Sequence, residues 1–189
     1  MGGRKISSQI YIFEKEYPMR RVRFSVAMSL DGFIAGPQGE SDWIVMDPDL
    51  DFNALFSAFD TVLLGRKTYE ATRQPGSEEG MPGMQTYVFS RTLRPADCPG
   101  VILSDDPKET IREIKAGTGK DIWLFGGGSL FRSLLELRLV DSVEVAIMPV
   151  LLGDGIPLLP PPANLATLKL VRHQVYEKTG TVSLEYALT

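Results

Sequence analysis

Three short segments combine residue types that could hold phosphate. Leu64-Gly65-Arg66-Lys67-Thr68 puts a glycine, two cations and a hydroxyl where an apolar run meets a helical stretch. A glycine there lets an anion approach the backbone N–H groups of the helix start, and Arg66, Lys67 and Thr68 add charge and donors. The same residues also suit a tight turn with solvated basic side chains. Phe125-Gly126-Gly127-Gly128-Ser129 is a second strand-to-helix junction. Its three successive glycines remove Cβ atoms where a pyrophosphate could lie, whereas an ordinary turn needs one. The pattern is not the GxGxxG of dinucleotide folds. Ser90-Arg91-Thr92 flanks an arginine with hydroxyls. That suits a phosphomonoester such as the 2′-phosphate separating NADP from NAD, or simply a surface loop. The candidate acids are Asp31, Asp42, Asp47, Asp49 and Asp51. Asp31-Gly32 is first of all a turn pair, and the acids of 47–51 could cap the helix that follows. Cys98 and His173 read as inert and surface residues, and Trp43 and Trp123 as packing, with Trp43 bordering the pocket loop.

The elements that position these residues follow from pattern. Apolar and β-branched runs predict strands over 22–28, 61–64, 86–89, 100–103, 121–125 and 142–149. Helical spacing is expected over 50–59, 66–73, 105–116 and 129–137, with Asp105-Asp106-Pro107 as a clear start signal. Residues 74–83, rich in Gly, Pro and Glu, are expected to be loop. Stretches 168–176 and 182–188 alternate and meet at Thr179-Gly180, a hairpin signal. Strands and helices alternate to about residue 140, and antiparallel strands follow. This is the pattern of an α/β domain with a mostly parallel sheet and an antiparallel edge. All three anion-binding segments lie at carboxyl ends of predicted strands, where open α/β sheets place ligands.

Composition narrows the function classes. The chain has 189 residues, 20 Lys+Arg against 24 Asp+Glu, and a net charge of −4. That length fits one domain with a core of its own, and the charge argues against non-specific nucleic-acid or membrane-surface binding. No apolar run approaches the roughly 18 residues of a membrane span. One cysteine and one histidine leave no intrachain disulfide, no multi-cysteine zinc site and no two-histidine metal site. A cytoplasmic, metal-free protein is the expectation. Residues 1–18 read as an N-terminal extension and 19–189 as a single domain.

In order, these motifs resemble the dihydrofolate-reductase-like superfamily, from about Val22 to the C-terminus. The resemblance is carried by Val26-Ala27-Met28-Ser29-Leu30-Asp31-Gly32-Phe33-Ile34-Ala35, Leu63-Leu64-Gly65-Arg66-Lys67-Thr68-Tyr69-Glu70, Ser90-Arg91, Phe125-Gly126-Gly127-Gly128-Ser129, and Leu139-Val140-Asp141 running on to Gly153-Asp154-Gly155. Within the superfamily the chain is most similar to the reductase domain of riboflavin biosynthesis and its stand-alone relatives, a branch that Gly39-Glu40-Ser41-Asp42-Trp43-Ile44 also matches.

The resemblance implies a doubly wound, mostly parallel sheet of about eight strands with NADPH in an extended groove. Gly65, Arg66, Lys67 and Thr68 would hold the adenine-side phosphates, and Ser90 and Arg91 the 2′-phosphate. Gly126, Gly127, Gly128 and Ser129 would pack on the pyrophosphate. Ala27 and Met28, with the loop through Ile34, would border the nicotinamide. Ser41, Trp43 and Asp51 would face the substrate, and a catalytic carboxylate, Asp31 or Asp49, or a bound water would deliver the proton. The riboflavin-pathway reductases usually carry a lysine where Ser25 stands and a glutamate where Phe125 stands. Both departures weaken the expectation of a phosphorylated substrate.

The implied activity is NADPH-dependent hydride transfer to a C=N or C=O bond of a small pterin- or aminopyrimidine-like heterocycle. The alternatives are 5-amino-6-(5-phosphoribosylamino)uracil reductase and a non-catalytic nucleotide-binding module. A homodimer is expected.

Overall fold

In a computed structural model, residues 19–73, 81 and 83–189 are described. The expected extension 1–18 and most of the expected loop 74–83 lie outside the described residues. The chain runs β1 Val22–Ser29, β2 Phe33–Ala35, α1 Phe52–Ser57, β3 Phe59–Gly65, α2 Arg66–Thr72 and β4 Gln85–Phe89. A 3-10 turn at Pro95–Asp97 leads to β5 Ile102–Ser104, α3 Pro107–Ala116, β6 Asp121–Gly126, α4 Gly128–Glu136 and β7 Ser142–Met148. It closes with β8 Ile156–Pro157, β9 Leu168–Tyr176 and β10 Thr181–Leu188.

Eight strands form one sheet in the order β5-β4-β3-β6-β1-β7-β10-β9. The contacts from β5 to β7 are parallel, whereas β10 runs antiparallel to both β7 and β9. The expected mostly parallel sheet with an antiparallel C-terminal edge is the observed one.

Burial explains the central strands. In β3, Val62, Leu63 and Leu64 are all buried, as a strand covered on both faces requires. One face packs with Ile111 and Ile114 of α3 and Leu130, Phe131 and Leu134 of α4; the Phe131 ring stacks on Phe24 of β1 at 4.0 Å. The other face gathers Phe59, Val62, Leu64, Tyr69, Val88 and Trp123. Each such side chain contributes about 1.5–3 kcal/mol on burial. α3 starts where its sequence says: Asp106 accepts from the Glu109 amide at 3.1 Å, Pro107 opens the first turn, and Gly117 caps the end.

Two elements differ from expectation. The helix predicted over 50–59 is shorter, because Asp51 caps it by accepting from the Ala54 amide at 2.9 Å and Phe59 belongs to β3. Phe59 is 3% exposed and lies 5.8 Å from the Trp123 ring, so tertiary packing overrides the helical spacing. The ribbon of β2 with β8 has no sequence signal, since β8 is two residues long and ends in proline.

Candidate functional site

The two glycine segments meet. β3 and β6 are parallel neighbours, with Leu64 opposite Gly126. Each strand ends in glycine and turns directly into a helix, α2 capped by Gly65 and α4 by Gly127. Neither cap supplies a side-chain acceptor; in α4 the Leu130 amide already bonds the Gly127 carbonyl at 3.0 Å, so the donors on offer are those of the first two helical residues. The helix dipoles add partial positive charge at both points. A Cβ on Gly127 would stand 3.2 Å from the Thr68 hydroxyl, so the two loops are in contact there. The Gly126–Gly127 peptide is cis and Gly126 has φ +146°.

The third glycine has another reason. A Cβ on Gly128 would come within 2.6 Å of the Pro157 carbonyl and 2.9 Å of the Pro160 ring. Gly128 therefore lets the segment after β8 close against the start of α4, whereas Gly126 and Gly127 stand at the junction with Thr68.

The basic residues extend this surface. Arg66 is ion-paired with Glu70 one turn on at 2.8 Å; both are well exposed, and such a pair is worth little against a phosphate. Lys67 and Ser129 are exposed. The Ser90 hydroxyl accepts from the Thr92 and Leu93 amides, both at 3.1 Å, which orders the turn that carries exposed Arg91. Arg91 lines an open cavity of about 720 Å³ together with Lys108, Ser133 and Leu137 and the acids Asp105, Asp106 and Glu136, between the start of α3 and the end of α4. Lys108 and Ser133 were not anticipated from sequence, because nothing local brings the first turn of α3 and the middle of α4 beside Arg91.

On β1, Ala27 and Met28 point to opposite faces; Met28 packs on the α3/α4 side and Ala27 faces the side of Trp123. Ile34 lies in β2. Asp31 accepts from the Ser29 hydroxyl at 2.6 Å, the Gly153 amide at 2.7 Å and the Leu152 amide at 3.1 Å. These bonds, the Ser29 hydroxyl first, pull its carboxyl down to about 2. At neutral pH Asp31 is thus a carboxylate with no proton to give, tying the turn after β1 to the loop after β7. Its turn-pair sequence says nothing of Leu152 and Gly153, which lie 121 and 122 residues away.

The acidic segment 40–51 is folded on itself and on the hairpin. The Trp43 indole donates to the Glu40 carbonyl at 3.1 Å, and Ser41 is exposed. Asp47 is buried, accepting from the Asp49 amide at 2.9 Å and from the Thr179 hydroxyl and amide at 2.9 and 3.1 Å. Burial pushes its carboxyl up, but these donors and nearby Lys178 more than offset that and leave it low. Asp49 is exposed and paired with Lys178 at 2.6 Å. Asp51 is the α1 cap. The clamp through Thr179 joins residues 132 apart, and no local signal announces it.

Beside Ala27 runs a ladder of aromatic rings. Phe52 and Phe56 of α1 stack at 6.0 Å, Phe56 meets Trp123 at 5.3 Å, and Trp123 meets Phe125 edge-on at 4.9 Å. The Trp123 indole donates to the Ser25 carbonyl at 3.0 Å.

Strand order and the paired glycine turns together define the dihydrofolate-reductase-like fold. The chain belongs to the RibD C-terminal domain family, whose model matches residues 20–182. It is 36% identical to the Bacillus subtilis protein YyaP over 88% of this chain and 94% of that one. A Thermotoga maritima diaminohydroxyphosphoribosylaminopyrimidine deaminase/5-amino-6-(5-phosphoribosylamino)uracil reductase superposes with TM-score 0.66 at 19% identity, over 90% of this chain and 57% of that one. Enterococcus faecalis dihydrofolate reductase complexed with NADP(H) superposes with TM-score 0.66 at 18% identity, over 89% and 96%. Those two likenesses concern the fold. Among the described residues no helix is long and apolar enough to cross a membrane.

Proposed function

We propose that this chain is an NADPH-dependent reductase acting on a C=N or C=O bond of a small heterocycle. The observation that carries the reading is the convergence of two glycine-capped helix starts at adjacent parallel strand ends. These residues fit the cofactor: backbone N–H groups for a pyrophosphate, Thr68 between the loops, and Arg91 with the ordered Ser90 hydroxyl for a 2′-phosphate. When bound, NADPH would supply a hydride from its nicotinamide C4.

The chain's own residues do the rest. Ala27 and Ile34 border the nicotinamide position. Asp31 acts as a positioning residue, holding the β1 turn against 152–153. Proton delivery falls to water or to Asp49, an exposed acid of the 40–51 segment that Lys178 pairs. Ser41, Trp43 and Asp51 belong to the wall that faces substrate.

The test is a thermal melt with NADPH and NADH, followed by NADPH oxidation with pterins, aminopyrimidines and carbonyl compounds. Ligand at 100 times its Kd stabilises the fold by about 2.7 kcal/mol. A melt that ignores NADPH overturns the reading. Binding with no oxidation across the panel favours a nucleotide-binding module. Family membership keeps 5-amino-6-(5-phosphoribosylamino)uracil in the panel as the alternative substrate.

The chain is also proposed to pair as a homodimer. β9 is the last strand of the sheet and carries exposed Leu168, Leu170, Val171 and Val175. A light-scattering mass near twice 20.9 kDa is expected; a single-chain mass overturns the pairing.

A further inference from the structure

Residues 152–161 form a strap that runs from the loop after β7 to the flank of α4, and it is fastened at both ends. At the first end Asp31 accepts from the Leu152 and Gly153 amides. β8 then pairs with β2, and the Leu158 amide donates to the Gly32 carbonyl at 2.9 Å. Gly155 makes this pairing possible, because a Cβ there would strike the Ala35 carbonyl. The other end lies on α4. A Cβ on Gly128 would come within 2.6 and 3.0 Å of the Pro157 and Leu158 carbonyls. Leu158 and Leu159 pack against the core that holds Leu130 and Phe131. One turn into α4, half-buried Arg132 donates its Nη1 to the Pro161 carbonyl at 3.0 Å and to that of Pro160 at 3.4 Å.

The composition of the strap suits such a fastening. Four of the six residues 157–162 are proline. Proline fixes φ and removes the backbone donor, so this stretch is stiff and presents carbonyls with few amides beside them. A guanidinium, which offers N–H donors only, is the fitting partner. Among the described residues no ion pair draws Arg132 elsewhere; its hydrogen bonds go to the strap.

We infer that Arg132 is a positioning residue: by fastening Pro160 and Pro161 to α4, it holds the loop of residues 31–35, at the other end of the strap, in fixed register with the glycine turn. The inference rests on the reductase reading for what that loop borders. On that reading α4 starts at the pyrophosphate and the loop lies at the nicotinamide, so the strap spans two ends of one dinucleotide. The connection is contiguous, from Arg132 to Pro160 and Pro161, and from Leu158 to Gly32. A loop held in its binding position in advance spares the ligand the cost of ordering it.

The test compares the full chain with Arg132→Met, which keeps a long unbranched stem and removes the guanidinium. In hydrogen exchange without ligand, the Gly32 and Leu158 amides are expected to exchange about 10-fold faster, as for one lost charged hydrogen bond, while those of β3 keep their rates. Calorimetric titration follows with NADPH and with 2′-phospho-ADP-ribose, the same nucleotide without its nicotinamide. NADPH, still held by its phosphates, is expected to bind roughly 5-fold more weakly, and the truncated nucleotide within about 2-fold of its affinity for the unmodified chain. Arg132→Lys keeps a charged donor for the carbonyls and is expected to recover most of both effects. Should Arg132→Met not fold, Arg132→Gln, shorter and uncharged, takes its place. Unchanged exchange at Gly32 and Leu158, exchange quickened equally in β3, or equal weakening of both nucleotides overturns the inference. Exchange quickened at those two amides alone, in a chain that binds neither nucleotide, overturns only the reductase reading.

Discussion

At the ends of β3 and β6 the proposed anion-binding surface is made of backbone, while across β1 the proposed substrate-facing surface is made of side chains drawn from distant segments. The first needs glycines at two strand ends and little else, so it is set by local sequence. The second needs Asp31 to find Leu152 and Gly153, Asp47 to find Thr179, and α1 to hold Phe56 against Trp123. Chemistry common to a family can sit in the first kind of surface, and chemistry particular to one member in the second. The comparison predicts that damage to the glycine turns abolishes cofactor binding outright, whereas damage to the clamps alters shape and leaves the cofactor in place.

The largest effect is expected from Gly127→Val. The residue has φ −90°, so the backbone tolerates a side chain, but its Cβ would enter the Thr68 junction. Two charge-assisted bonds, each about 1.5–3 kcal/mol, are lost, so NADPH affinity falls by roughly 100-fold or more in a folded protein. Gly128→Val should do the opposite. Its branched carbons meet the Pro157 carbonyl, costing about 1–3 kcal/mol of stability, while the groove keeps its donors. If calorimetry and melting curves show the two variants failing in the same way, the division between the glycines is wrong.

Arg91→Ala comes next. Loss of one charge-assisted bond weakens NADPH by roughly 1–3 kcal/mol and leaves NADH nearly unchanged. Equal losses for both cofactors would remove Arg91 from the 2′-phosphate.

Asp47→Asn tests the clamp on the other side. Its carboxylate takes three donors, and the amide can answer fewer of them. The melting temperature falls and amide exchange over 43–51 and 177–180 quickens, with NADPH affinity unchanged. A loss of NADPH affinity would mean that the two surfaces are not independent.

The smallest effect concerns Asp31 and acid. Its carboxyl titrates lower in the folded chain than the ordinary 3.8, so its contribution is complete above about pH 4 and is lost as pH falls toward about 2. Asp31→Asn should flatten that part of the acid melt while sparing neutral-pH turnover. A drop in turnover of roughly 10²–10⁴-fold would instead restore Asp31 as an acid–base group.

How much of this was legible follows the same division. The sheet class, the two glycine turns and the hairpin at Thr179-Gly180 are written in runs of fewer than ten residues, where period and turn chemistry act directly. The start of β3 was read as helix because Phe59 continues a helical stripe that only its contact with Trp123 overrules. Asp47 looked like a helix-start acid because its partner lies in a hairpin 132 residues later. The triple glycine was read as one cradle, and only the close approach of Pro157 separates Gly128 from the rest.

The place of β10 has a further consequence. It lies between β7 and β9, so β9, although made earlier, has no sheet neighbour until residues 181–188 have left the ribosome. Thr179, the anchor of Asp47, belongs to the same late hairpin. During synthesis the parallel strands β1 to β7 can assemble while the 40–51 segment stays unclamped, and its final shape waits on the last hairpin. Loss of β10 would therefore be felt some 130 residues upstream as well, where the acidic 40–51 segment depends on Thr179.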